Sequence, residues 1–258
     1  MLAGENTLDA LITRVLTKSI LTRGDVDPDD FRNNYITFMT TPGTHNDTYA
    51  GTCHRMFFKN LRDGVSAQDC PDNDAHNVDA IDALMVLPPV VLAHIHSSRE
   101  VRNEAIKRAI QTTRQTNAVL PFAYVYSDML LALLSGVSMQ DAAQNAGMAI
   151  GYDIAAQVRR SSGEDPMVAC YITSSFPALL YFAYKYGEQG PEVLLLASTN
   201  AGGENVARGS LLGALAGARY GRQGLPPSLV TGLVLSEQLQ AESSQFADMF
   251  AEAKNGHN

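Results

Sequence analysis

Apolar residues recur at intervals of three and four along nearly the whole chain. Over residues 6–21 they fall at Leu8, Leu11, Ile12, Val15, Leu16 and Ile20, the stripe of one helix face. Thr22-Arg23-Gly24 closes that helix with a cation and a glycine. Asp27-Pro28-Asp29-Asp30 opens a second one, with an acidic N-cap and proline at the first helical position. It carries Phe31, Tyr35, Ile36, Phe38 and Met39 to a stop at Thr41-Pro42-Gly43. Asp47 is then placed to cap a third helix running through 54–61. The stretch 76–96 predicts a helix kinked or broken at Pro88-Pro89. Residues 98–116 are amphipathic, 121–134 are mostly apolar, Ser138 caps a helix over 139–149, and 152–158 is a further short helix. Residues 161–166 form a surface loop. Helices follow at 172–186, interrupted by Pro177, at 191–198 and at 204–220. The last of these has Gly209, Gly213, Gly217 and Gly221 at four-residue spacing, read as allowing close helix approach in a soluble core. Pro226-Pro227 opens a final helix reaching about Lys254.

No alternating strand pattern and no βαβ alternation is present, which removes Rossmann and barrel architectures. The expectation is an all-α, single-domain, multi-helix orthogonal bundle. The 258 residues are 45% hydrophobic and 18% charged, enough for a sizeable core. The net charge of -8 argues against nucleic acid or an anionic membrane as the main partner. Cys53, Cys70 and Cys170 form neither a disulfide framework nor a zinc pattern. No apolar run reaches spanning length, and Met1 is not followed by a basic and then apolar leader. A cytoplasmic protein with reduced thiols is expected.

Two near-identical tripeptides, Gly4-Glu5-Asn6 and Gly203-Glu204-Asn205, each open a helical segment. A carboxylate there either caps the first turn or holds a cation, and spacing leaves both readings open. The run Gly202 to Gly209 suits an anion at a helix start but lacks the lysine end of a P-loop. Asp72-Asn73-Asp74-Ala75-His76 fails as a calcium loop, having Asn77 and Ala83 where glycine and glutamate belong. On a helix, His76, Asp79 and Asp82 would share one face, either solvated or lining a pocket. His45, Asp47 and His54 form a second polar group, structural or catalytic.

The stretch from Asn200 to Ala218, with Gly202-Gly203-Glu204-Asn205-Val206-Ala207 and Gly213-Ala214-Leu215-Ala216-Gly217-Ala218, resembles the C-terminal signature of the ADP-ribosylglycohydrolase family, which includes the J1 crystallins. That signature reads Gly-Gly-Asp-Thr-Asp-Thr before its small-residue helix. Gly4-Glu5-Asn6-Thr7 resembles the family's Thr-Asp-Asp-Thr, and residues 76–82 look like its Gly-Asn-Gly-Ala-Ala-Met-Arg segment. The resemblance runs in order over most of the chain and implies one all-α family domain over 1–258. The family's opening segment has no counterpart before Met1, so a truncated start relative to the family is expected.

The resemblance further implies cleavage of an ADP-ribose glycosidic bond on a protein or small acceptor, with two magnesium ions between the acidic motifs. Carried over, Glu5, Asn6 and Glu204 become metal ligands. Glu5, Asp47 and Asp79 become catalytic candidates, and Asn77, Asp82, Gly202, Gly203 and Asn205 ligand contacts. The chain departs from the pattern at its centre: Val206 replaces an aspartate and cannot ligate, and Asn6 and Asn205 are neutral. Glu5 and Glu204 leave carboxylates for one magnesium rather than the usual pair. The expectation is therefore a hydrolase with an altered or single-metal site. Its alternative is an inactive, J1-crystallin-like structural or ligand-binding protein.

Overall fold

The computed structural model describes residues 1–251. Thirteen α-helices lie among them: α1 (Leu8–Arg23), α2 (Pro28–Thr40), α3 (Thr52–Arg62), α4 (Leu87–Ala93), α5 (Arg99–Gln111), α6 (Leu120–Leu134), α7 (Met139–Ala149), α8 (Ile154–Arg160), α9 (Ile172–Tyr186), α10 (Pro191–Asn200), α11 (Val206–Gly224), α12 (Pro227–Thr231) and α13 (Ser236–Ala251). The only β pairing among the described residues is an isolated antiparallel bridge between Ala80 and Tyr171. The expected all-α class is the one found.

The residues group into two compact units, each assembled from separated stretches of chain. Among the described residues the first takes 1–78, 86–116 and 230–251, and the second takes 79–85 and 117–229. In the first unit α1 packs on α2, α4 and α13. Leu8, Ile12, Leu16 and Ile20 of α1 are buried with Phe31, Phe57, Val90, Val91 and Ile106. In the second, α9 packs on α7, α8, α10 and α11, and α6 packs on α7 and α11. Its interior includes Leu130, Met139, Phe176, Leu179, Phe182, Leu194, Leu211 and Leu215. Removing such a side chain from water contributes roughly 1.5–3 kcal/mol.

Where caps are local, sequence and structure agree. Asp27 accepts from the backbone of Asp29 and Asp30, Ser98 from Val101, and Ser138 from Asp141.

Four expectations need correcting. The stretch 76–96 is not one helix. Asp74 Oδ1 accepts hydrogen bonds from both His76 N and Val78 N, so those amides serve a loop. Ala80 is extended, Ile81–Leu84 is a single 3-10 turn, and α4 starts only at Leu87. Pro88 and Pro89 sit in the first turn of α4, where a missing N–H costs nothing. His76, Asp79 and Asp82 therefore share no helix face. Secondly, α9 runs unbroken through Pro177, because every residue from Ser175 to Ala183 is buried and packing outweighs one lost hydrogen bond. Thirdly, the final helix is two, parted by Leu235 at φ 65°. Lastly, a Cβ at Gly209, Gly213 or Gly217 would meet no atom within 4 Å, so these glycines permit no close approach here. The buried face of α11 is made instead by Ala207, Arg208, Leu211, Leu212, Leu215 and Ala216.

Candidate functional site

The first acidic motif lies in the first unit. Gly4 has φ 83°, and a Cβ on it would fall 2.2 Å from the Gly232 carbonyl oxygen. Val234 N donates to Gly4 O at 2.8 Å, so the break between α12 and α13 backs the tripeptide. Glu5 does not cap α1. Its Oε2 accepts from Leu2 N and from Asn46 Nδ2. These bonds, Asn46 first, hold its carboxyl below the usual carboxylate range. No hydrogen bond reaches Glu5 Oε1 from the described residues. The cap comes from 39 residues away: Asp47 Oδ2 accepts from Leu8 N at 2.9 Å. Asp47 thus serves α1 rather than α3, whose N-cap is Gly51. Glu5, Asn6, Leu11, Arg14, His45 and Val234 are among the residues lining a cleft of about 330 Å³. Asn77 lies on an exposed loop, donating to Asp74 Oδ2 at 2.7 Å, and does not line that cleft.

Beneath α1 runs a polar chain that the sequence only hinted at through His54. Tyr35 Oη meets His54 Nδ1 at 2.8 Å, and His54 Nε2 meets Asp9 Oδ1 at 2.9 Å. His54 is 2% exposed. Burial opposes its charge, but Cys53 and Asp9 outweigh that cost and raise its pKa to about 10. Burial likewise opposes ionisation of Asp9, and the hydrogen bond and charge of His54 prevail, lowering its pKa. The pair stands as a buried imidazolium–carboxylate.

The second motif lies in the second unit, where one five-residue stretch gathers its parts. Ile172 N donates to Asp79 O at 3.0 Å, Ile81 N to Cys170 O at 2.9 Å, and Glu204 N to Val168 O at 2.9 Å. Residues 168–172 thus pin the backbones that carry Asp79, Asp82 and Glu204. Burial, then the charges of Glu204 and Asp82, push the Cys170 thiol pKa upward, which places both carboxylates within its electrostatic reach. Gly203, at φ 72°, has Val168 O 2.4 Å from where a Cβ would sit. Gly202 is also left-handed, at φ 76°. Glu204 Oε1 accepts from Ala207 N at 3.0 Å and so caps α11. Asn205 donates to Thr199 O and accepts from Arg208.

Arg208 was not foreseen. It is 0% exposed. Its signal was present in the apolar period: 208, 211, 212 and 215 share one face, which sets a cation on the buried side of α11.

These donors fit the magnesium pair of the resemblance poorly. Val206, 48% exposed at the start of α11, offers no oxygen from its side chain. Asp47 is committed to two backbone amides, of Leu8 and Tyr49, and Glu204 to that of Ala207. Among the described residues no three His, Cys, Asp or Glu side chains group so that they could hold a metal ion. Likewise no described helix is long and apolar enough to cross a membrane.

A family model described as ADP-ribosylglycohydrolase matches residues 1–257, and the chain belongs to that family. Among solved structures, one titled "ADP-ribosylglycohydrolase-related protein complex" superposes with a TM-score of 0.70 at 23% identity. The match covers 95% of this chain and 82% of that one, and it shows a shared fold. No curated protein sequence matches.

Proposed function

We propose that this protein is a hydrolase of the ADP-ribose glycosidic bond, acting on an ADP-ribosylated protein or small ADP-ribosyl ligand through carboxylates rather than a magnesium pair. The observation that carries the reading is the convergence of Asp79, Asp82 and Glu204 on residues 168–172 in a chain of this family. Glycosidic bonds break through an oxocarbenium-like state: one carboxylate stabilises it, another takes a proton from the attacking water, and the departing acceptor takes up a proton from solvent, so that one water is consumed per bond broken. Asp79 and Asp82 are assigned those roles. Glu204, held by Ala207 N–H, orders the turn that carries Gly202 and Gly203 toward the diphosphate, where a helix start and glycine amides suit an anion. Asn205 is a candidate ligand contact.

The test is release of free ADP-ribose from an ADP-ribosylated protein, followed by chromatography with and without EDTA. Turnover that survives EDTA and disappears in Asp79→Asn supports the reading. Turnover restored only by two equivalents of magnesium sinks it. A second reading, a non-catalytic ligand-binding relative like the J1 crystallins, draws support from the engagement of both motif glutamates with backbone amides. Calorimetric binding of ADP-ribose with no turnover would favour it.

A further inference from the structure

Arg208 projects from the first turn of α11 into the turn that joins it to α10. Its Nε donates to Ser198 Oγ at 2.8 Å. Its two Nη2 hydrogens are shared among Ser198 O at 2.7 Å, Gly202 O at 2.7 Å and Asn205 Oδ1 at 2.9 Å, while the buried Nη1 meets no acceptor among the described residues. The guanidinium carbon lies 4.8 Å from the centre of the Phe182 ring. Burial lowers its pKa and the charge of Glu204 works the other way, yet an arginine stays charged under any physiological condition.

A buried cation is expensive unless its surroundings are rich in acceptors. Here they come from the end of α10, whose last carbonyls lack helical partners and carry the negative end of the helix dipole. The same guanidinium reaches Gly202 and Asn205, on either side of Gly203 and Glu204. One side chain therefore ties the end of α10, the glycine turn and the start of α11 into a single hydrogen-bonded object. A divalent ion beside Glu204 would meet this fixed positive charge.

We propose that Arg208 is the resident cation of the second acidic motif: its guanidinium holds the Gly202–Asn205 turn in the shape that presents Glu204, and the turn needs no divalent ion to be ordered. Arg208 acts as a positioning residue. The proposal stands apart from the hydrolase reading, because its test reads the turn and not turnover.

The test is backbone hydrogen exchange of the full chain by mass spectrometry over peptides covering 199–207. In the unaltered protein, protection should be the same in excess EDTA and in millimolar magnesium. In Arg208→Gly it should fall on the order of tenfold or more over these residues, with α6 and α7 unchanged. Low millimolar guanidinium should restore protection to that variant and equimolar sodium should not. Arg208→Lys, which keeps charge but loses the fork, should fall between. Protection lost in EDTA and regained with magnesium in the unaltered protein would overturn the proposal, whatever the variants do. So would full protection in Arg208→Gly.

Discussion

Gly4-Glu5-Asn6 and Gly203-Glu204-Asn205 are spelled almost alike and solve their local problems differently. Both glycines adopt positive φ with a carbonyl oxygen pressed where a Cβ would be. From there they diverge. In the second motif the glutamate caps its own helix three residues on. In the first it ties down Leu2 and Asn46, and the helix is capped by Asp47 from another loop. The second motif has an internal cation in Arg208. In the first unit the buried His54 pairs instead with a carboxylate, Asp9. The glycine is what the shared spelling dictates; the role of the carboxylate depends on which amides the fold leaves open nearby.

That contrast can be broken at several points. The largest effect is expected for Arg208→Met, which strands the Ser198 and Gly202 carbonyls and should lower stability by about 3 kcal/mol or more, measured by urea unfolding. Gly203→Ala and Gly4→Ala should cost alike, about 2–3 kcal/mol each, because both combine a left-handed backbone with overlap against a carbonyl. Unequal costs in the same titration would show that one backing segment yields.

Alkaline pH should separate the units. His54 titrates higher folded than unfolded, so its contribution is complete below about pH 6.5 and drains away as pH rises toward 10. Asp9 titrates lower folded, so its contribution holds above the ordinary carboxylate range and is lost on acidification. Hydrogen exchange at α1 and α3 should accelerate beyond its intrinsic pH dependence between those limits, and His54→Gln should abolish the excess. Arg208 does not titrate there, so the turn at 202–205 should show no such excess. The smallest effect is Asp47→Ala. It should cost about 1 kcal/mol, the usual worth of a helix cap, and fray α1 in exchange experiments although the mutated residue lies outside that helix.

Much of the fold was legible because its signals are short-ranged. Asp27, Ser98 and Ser138 cap helices two or three residues away, and the period of α1 lies within its own sixteen residues. What escaped depends on partners distant in sequence. The stretch 76–96 looks helical by period, but its start bonds to Asp74 and its middle bridges Tyr171. Pro177 reads as a breaker, and only burial explains why α9 continues. In the candidate site, Glu204 and its glycines were recognisable from the motif. Asp79, Asp82 and Cys170 could be gathered only by a segment nearly ninety residues downstream of the first two. Arg208 was visible as a charge on an apolar face, a pattern that calls for acceptors without naming them.

The bonds between the start of α1 and the last helix have a consequence for how the chain is made. Arg14 holds Glu242 through a two-pronged ion pair, and Val234 closes on Gly4. These contacts join residues more than two hundred positions apart. A ribosome delivers α1 long before α13, at about 5–20 residues per second. The first acidic motif is therefore completed only after more than two hundred further residues have been added, and α1 waits for α13 with one flank uncovered.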